Sequence, residues 1–114
     1  MNIKRGGVYL AALDPAKGRE ILKTRPVAVI SNDKNNDFSG TVTILPITSQ
    51  NLKAVYPFEV FIPQGDANLP KDSKIKADQI RTLDKGRLIK FIGALEEKDV
   101  EAIERALKVH LSLK

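Results

Sequence analysis

A small, strongly bent β-barrel with one helix packed on it is the architecture this sequence predicts. Three observations carry that expectation. Short apolar runs, alternating or continuous, recur from Gly7 to Leu95. Turn residues (Gly, Pro, Asn and Asp) separate those runs at close intervals. Sustained helical periodicity is confined to the C-terminal stretch. The 114 residues form one domain, 1–114, with no internal repeat.

Gly7-Val8-Tyr9-Leu10-Ala11-Ala12-Leu13 reads as the first strand, stopped by Asp14-Pro15. Residues 14–24 follow as a basic loop, read as a mobile flap in which Gly18 can take a positive φ. The chain then reaches the stretch around which the rest is organised. Val27-Ala28-Val29-Ile30 is a continuous apolar run, the mark of a strand buried on both faces. Pro26 fits the first position of that strand, where no ladder hydrogen bond is needed. Proline also drives the preceding residue into the extended region, so Arg25 is expected at the mouth of a rigid strand. Ser31-Asn32-Asp33 ends the strand with turn-forming residues.

Asn32 to Gly40 is expected as a polar loop. Its Asp33-Lys34-Asn35-Asn36-Asp37 run imitates the start of a calcium loop, but Phe38 stands where glycine is required and Ile44 where glutamate is required. No metal is therefore assigned. Thr41 to Leu45 alternates as a third strand, and Pro46 marks an edge or a bulge that would re-aim Thr48 out of the core register. Thr48 alone could equally cap its own turn. Tyr56 to Pro63 is a fourth strand, and Gln64 to Asp72 a loop. Lys74 to Leu83 alternates and then changes phase, which suggests a bulge or polar groups turned to a binding surface. Leu88 to Leu95 is apolar on both faces, so one face needs cover from the helix or a second subunit. In the tail, Val100, Ile103, Leu107 and Leu111 draw one apolar helical stripe, with Glu96, Glu97 and Asp99 at its N-terminal end. His110 lies beside that stripe and is expected to be packed or half-exposed.

Composition narrows the function. Hydrophobic content of 42% and charged content of 29% belong to a folded soluble domain. No run approaches the length of a membrane span, and no signal peptide precedes Gly6-Gly7. The absence of cysteine excludes disulfides and thiolate metal sites and is compatible with a cytoplasmic location. Of the net charge of +5, residues 1–35 carry seven positive against three negative groups, so a polyanionic partner is expected. Glycine-rich phosphate loops, paired histidines and Gly-x-Ser-x-Gly motifs are missing. What remains for chemistry is arginine, threonine and backbone on a basic surface.

Five short segments then occur in order: Arg5-Gly6-Gly7-Val8-Tyr9, Lys23-Thr24-Arg25-Pro26-Val27, Ser31-Asn32-Asp33, Leu45-Pro46-Ile47-Thr48 and Gln79-Ile80-Arg81-Thr82-Leu83-Asp84. In order and spacing they resemble the MazF/PemK family of toxin–antitoxin endoribonucleases, from about residue 4 to the final helix. The resemblance implies an SH3-like barrel of the MazF/PemK/CcdB type. It also implies a cytoplasmic homodimer, a cognate antitoxin, and cleavage of single-stranded mRNA at specific sequences without a cofactor. Carried over residue by residue, it makes Arg25 and Thr48 the catalytic pair and Glu20 an accessory acidic residue. Lys17, Arg19, Lys23, Ser31, Asn32, Gln79 and Arg81 then belong to the RNA surface. Gly7 stands where many members carry an acidic residue, an exchange expected to affect local packing more than chemistry.

The chemistry is consistent with that resemblance. RNA carries its own nucleophile, the 2′-OH, and a guanidinium offers a planar fork of donors that matches phosphate oxygens. Two other classes stay in view. A non-catalytic gyrase inhibitor resembling the CcdB family would use a C-terminal segment containing tryptophan, and this chain has none. A simple nucleic-acid-binding barrel would display stacking aromatics, and the two tyrosines and four phenylalanines fall mostly in apolar strands, leaving few for that task.

Overall fold

The computed structural model describes residues 2–14 and 23–114. Within them, seven strands form one antiparallel, bent sheet: β1 (Gly7–Asp14), β2 (Lys23–Val29), β3 (Thr41–Thr48), β4 (Glu59–Ile62), β5 (Ser73–Lys76), β6 (Arg81–Asp84) and β7 (Leu88–Ala94). The order is β4-β5-β3-β2-β1-β7, with β6 also paired to β3. Two helices complete the fold, α1 (Asp33–Phe38) and α2 (Glu97–Leu111). The mainly β architecture with a C-terminal helix is the one expected.

The sheet bends at β3. Its first half, Thr41–Ile44, pairs with β6, and its last two residues, Ile47 and Thr48, pair with Ile75 and Lys74 of β5. Along its other edge β3 keeps continuous register with β2, Val29 to Ile44, Ala28 to Leu45 and Val27 to Pro46. The bulge expected at Pro46 does not occur in that register. Proline instead falls in the gap where β3 exchanges β6 for β5, a place where a missing N–H interrupts no ladder on that edge. Thr48 is carried by this exchange to the end of β3.

Two apolar clusters use opposite faces of the central strands. Val8, Ala28, Leu45 and Ile47 pack with β4, β5 and the α2 residues Ile103 and Ala106. Tyr9, Ala11, Leu13, Val27, Val29, Val42 and Ile44 pack with Leu83 and Leu88. The apolar run of β2 is thus buried on both faces, as its sequence demanded.

Several boundaries differ from expectation. β2 begins at Lys23, so Arg25 and Pro26 lie inside it, paired with Ala11 and Leu10 of β1. Asn32–Gly40 is not wholly loop: Asn32 caps α1 by accepting the Asn35 N–H at 2.8 Å. The phase change in 74–83 is a break into two strands, joined by a turn at residues 77–80. The stripe on α2 ends early. Ile103 is buried and Val100 and Leu107 are half-buried, but Leu111 is 48% exposed, and His110 is exposed beside it.

Two glycines are fixed by close approach. A Cβ on Gly93 would stand 2.3 Å from the Ala67 carbonyl oxygen, because a short 3-10 turn at Asp66–Asn68 lies directly on β7. The Asn68 side chain donates to the Ile92 carbonyl there at 3.0 Å. A Cβ on Gly7 would come within 2.8 Å of the Tyr9 ring and 3.0 Å of the Lys4 carbonyl, so packing leaves little room for a side chain there.

Candidate functional site

Arg25 reaches the surface from β2, where its backbone pairs with Ala11 of β1 two residues before the strand also pairs with β3 at Val27–Val29, which limits the backbone freedom of the residue carrying the guanidinium. Thr48, at the end of β3, accepts the Gln50 N–H on its hydroxyl oxygen at 3.2 Å, so the turn-capping role considered from the sequence is real. That bond leaves the hydroxyl proton and a lone pair for another partner. Arg25, Thr48 and Gln50 together line two adjoining cavities of about 420 and 320 Å³. The first continues toward Thr24, Pro26 and Lys71. The second continues toward Lys74, Lys76, Gln79 and Arg81.

The cations around this cleft are held very differently. Among the described residues, Arg25 is half-buried and its guanidinium has no hydrogen-bond or ion-pair partner. Arg81 donates through Nη2 to the Leu13 carbonyl at 2.8 Å, and Arg87 through Nη1 to the Ala12 carbonyl at 3.2 Å, so both grip the end of β1. Farther off, Arg5 donates to the Ile30 carbonyl and to Glu104, both at 2.9 Å, and ties the residue just past β2 to α2.

Lys74 is the buried extreme, only 3% exposed. Its ammonium donates to the carbonyls of Asn51 at 2.9 Å and Ala54 at 3.0 Å and to Glu59 Oε1 at 3.1 Å, which uses all three protons. Glu59 is buried too, and its other oxygen accepts from Lys76 at 2.6 Å. Burial pushes the Glu59 carboxyl up, but the hydrogen bonds from Lys76, the Tyr56 N–H and Lys74 outweigh it and leave the group below its ordinary value. Lys76 is raised, chiefly by its hydrogen bond to Glu59. This network pins residues 51–59, the segment that leaves the site just past Thr48 and Gln50.

The sequence profile of the PemK-like, MazF-like toxins of type II toxin–antitoxin systems matches residues 4–111. The chain belongs to that family. Endoribonuclease MazF9 of Mycobacterium tuberculosis is 37% identical over 97% of this chain and 98% of its own length. Endoribonuclease MazF of Staphylococcus saprophyticus is 41% identical over 97% and 92%. Among solved structures, a mycobacterial endoribonuclease in complex with its cognate antitoxin superposes with a TM-score of 0.80 at 26% identity, covering 98% of this chain and 97% of its own. The MazE–MazF complex of Deinococcus radiodurans (Form-II) gives 0.84 at 23% identity, covering 100% and 99%, and supports the MazF/PemK/CcdB-like fold.

Against this MazF/PemK frame, the residues singled out in the sequence separate into three groups. Arg25, Thr48, Gln79 and Arg81 share one cavity, although Arg81 is partly engaged by β1. Ser31 and Asn32 lie at the other end of β2 and serve the fold. Ser31 Oγ donates to Asn36 Oδ1 at 2.5 Å and accepts the Thr43 N–H at 3.1 Å, while Asn32 caps α1. Lys17, Arg19 and Glu20 lie outside the described residues, as does the side chain of Lys23 and most of the expected flap.

Gln50, Lys74 and Lys76 were missed by the sequence reading. Gln50 was legible in hindsight as the polar residue just beyond Thr48, whereas nothing local marks Lys74 as different from any surface lysine. The aromatics depart from expectation most. Tyr9 is buried, but Phe38, Tyr56, Phe61 and Phe91 are all exposed.

Proposed function

We propose that this chain is the toxin of a type II toxin–antitoxin pair and a sequence-specific endoribonuclease that cuts single-stranded mRNA by attack of the 2′-OH. The observation that carries the chemistry is Arg25: a guanidinium on a clamped strand, unpaired among the described residues, sharing two cavities with the Thr48 hydroxyl. The 2′-oxygen bonds to phosphorus and the bond to the 5′-oxygen breaks. The products are a 2′,3′-cyclic phosphate and a 5′-OH. Arg25 stabilises the charge that builds on the phosphoryl oxygens, a preorganised donor pair acting where charge develops. Thr48 adds a hydroxyl donor to the same phosphate. Arginine gives up protons poorly, its pKa exceeding about 12, so Arg25 is assigned charge stabilisation, while the proton lost by the 2′-OH and the proton gained by the 5′-oxygen are exchanged with water. Glu20 is the accessory acidic residue in this scheme, and Gln79 and Arg81, with Lys17, Arg19 and Lys23, contact the RNA.

The reaction so described needs neither a metal nor a cofactor. An RNA with one 2′-deoxy nucleotide just 5′ of the scissile phosphate keeps every phosphate contact and should bind almost unchanged while resisting cleavage. Mapping cuts in a long RNA, with and without EDTA, checks the activity and its metal independence together. Cleavage of the deoxy-substituted strand at an unchanged rate would mean that water or a protein group attacks instead.

Two partners accompany this reading. A homodimer is supported by the β7 edge, where Ile89 is 50% and Phe91 55% exposed, and by an apolar hollow of about 430 Å³ between Tyr9, Phe91, Ala94 and Leu95. A monomeric mass by light scattering at micromolar concentration would count against it. The cognate antitoxin is expected to cover the basic cleft with an acidic, partly disordered segment. No helix among the described residues is long and apolar enough to cross a membrane, and we assign the toxin to the cytoplasm, where its mRNA substrate is.

A further inference from the structure

Beyond the cleft, a third cavity of about 790 Å³ is lined by Ser49, Asn51, Lys53, Tyr56, Lys74 and Lys76, among others. It shares Asn51, Lys74 and Lys76 with the second cavity of the cleft, so the two form one continuous surface. Tyr56 stands on this surface with 53% of its area exposed. Its ring is stacked on Phe58, with centroids 5.5 Å apart and planes 9° from parallel. Its backbone N–H donates to the buried Glu59 carboxylate at 3.1 Å. The loop on its N-terminal side is held through the Asn51 and Ala54 carbonyls by Lys74. An exposed aromatic at a loop tip is usually free to move. Here the loop is fixed from beneath by the buried ion network, the ring is backed by Phe58 with the Lys74 ammonium 6.0 Å from its centroid, and Lys53 stands exposed on the wall of the same cavity.

We infer that Tyr56, backed by Phe58, is a stacking shelf for a nucleobase of single-stranded RNA running on from the Arg25–Thr48 cleft. Every base offers a π-face, so such a shelf binds without reading sequence. The lysine on the cavity wall suits the adjoining phosphate, and continuity with the cleft sets the occupant: the same strand, one or more nucleotides from the scissile phosphate. The inference rests on the proposed ribonuclease reading for its ligand and adds a subsite that the reading does not contain.

Binding of a mixed-sequence, uncleavable RNA carrying 2′-O-methyl riboses tests it. Tyr56→Ala should weaken binding on the order of tenfold, and Tyr56→Phe should hold it within about twofold, because stacking needs the ring and not the hydroxyl. The loss in Tyr56→Ala should persist at raised salt, since stacking releases no counterions, whereas Lys53→Ala should lower the salt dependence itself. Tyr56→Trp places the sole tryptophan in a chain that has none, and base stacking should quench its fluorescence. Thermal melting confirms that each variant is folded.

Wild-type affinity in folded Tyr56→Ala, or tryptophan emission unchanged at saturating RNA, overturns the shelf and leaves the exposed ring to a protein partner. The two readings fail separately. Wild-type cleavage with Tyr56-independent binding removes the shelf alone. Tyr56-dependent binding without wild-type cleavage removes the nuclease alone.

Discussion

Lys74 and Arg25 line the same cavity from strands on either side of β3, and they are opposite kinds of cation. Lys74 is buried, and each of its protons is already bonded to the protein. Arg25 is half-buried, held by its backbone against β1, and bonded through its side chain to nothing described. Burying a charge is tolerable only when it is paired and fully hydrogen-bonded. Lys74 meets that condition and so can only serve structure. Arg25 leaves its donors open toward the cleft, which is what recognition of an anion requires. The difference teaches that a positive residue lining a cleft is a candidate for chemistry only if the fold has not already committed its donors.

The sharpest break of this comparison is Lys74→Met. It leaves buried Glu59 with Lys76 as its one cationic partner and orphans the Asn51 and Ala54 carbonyls, so a loss of about 3–5 kcal/mol in urea unfolding is expected. A loss smaller than about 1 kcal/mol would show that the network is dispensable. Next comes Arg25→Ala. Stability should stay within about 0.5 kcal/mol, since no core cavity forms, while the cleavage rate falls about 10²–10³-fold. Full activity in a folded Arg25→Ala protein would remove Arg25 from the catalytic role. Arg25→Lys sharpens the point, because it keeps the charge and loses the fork, and its rate should lie between the two.

Thr48→Val is expected to cost less, about 1 kcal/mol in the barrier, or roughly fivefold in rate, by deleting one hydroxyl donor. Its separate effect on melting reports the lost Gln50 N–H bond. The smallest effect is on pH. The Glu59 carboxyl sits below its ordinary value of 4.5, so its pairing stabilises the fold fully above that value. That contribution is lost as pH falls through the lower folded-state value. Melting temperature should therefore drop below about pH 4.5 in the wild type and in Arg25→Ala alike. In Lys74→Met that acid limb should flatten, because one of the groups holding Glu59 ionised is gone. An unchanged acid limb in Lys74→Met would separate Glu59 from the pH response.

Much of this protein was determined locally. The Val27–Val29 run could only be a strand buried on both faces, the spacing of Val100, Ile103 and Leu107 could only be one helix face, and Pro26 held Arg25 extended wherever the strand began. These follow from side-chain size and backbone restriction, which act within a few residues and are visible in the chain.

Other features required the tertiary structure, because they depend on neighbours far apart in the chain. β3 changes partners at Pro46, which sets where Thr48 and Gln50 meet Arg25. Ser31 and Asn32 carry the same turn chemistry in any setting, and only the placement of Asn35, Asn36 and Thr43 shows which bonds within the fold they make. Lys74 reads as a surface lysine until Glu59, Asn51 and Ala54 close around it. A charged or hydroxylated side chain has the same donors in any sequence; whether they face solvent or protein is decided by which distant acceptors the fold brings within about 3 Å.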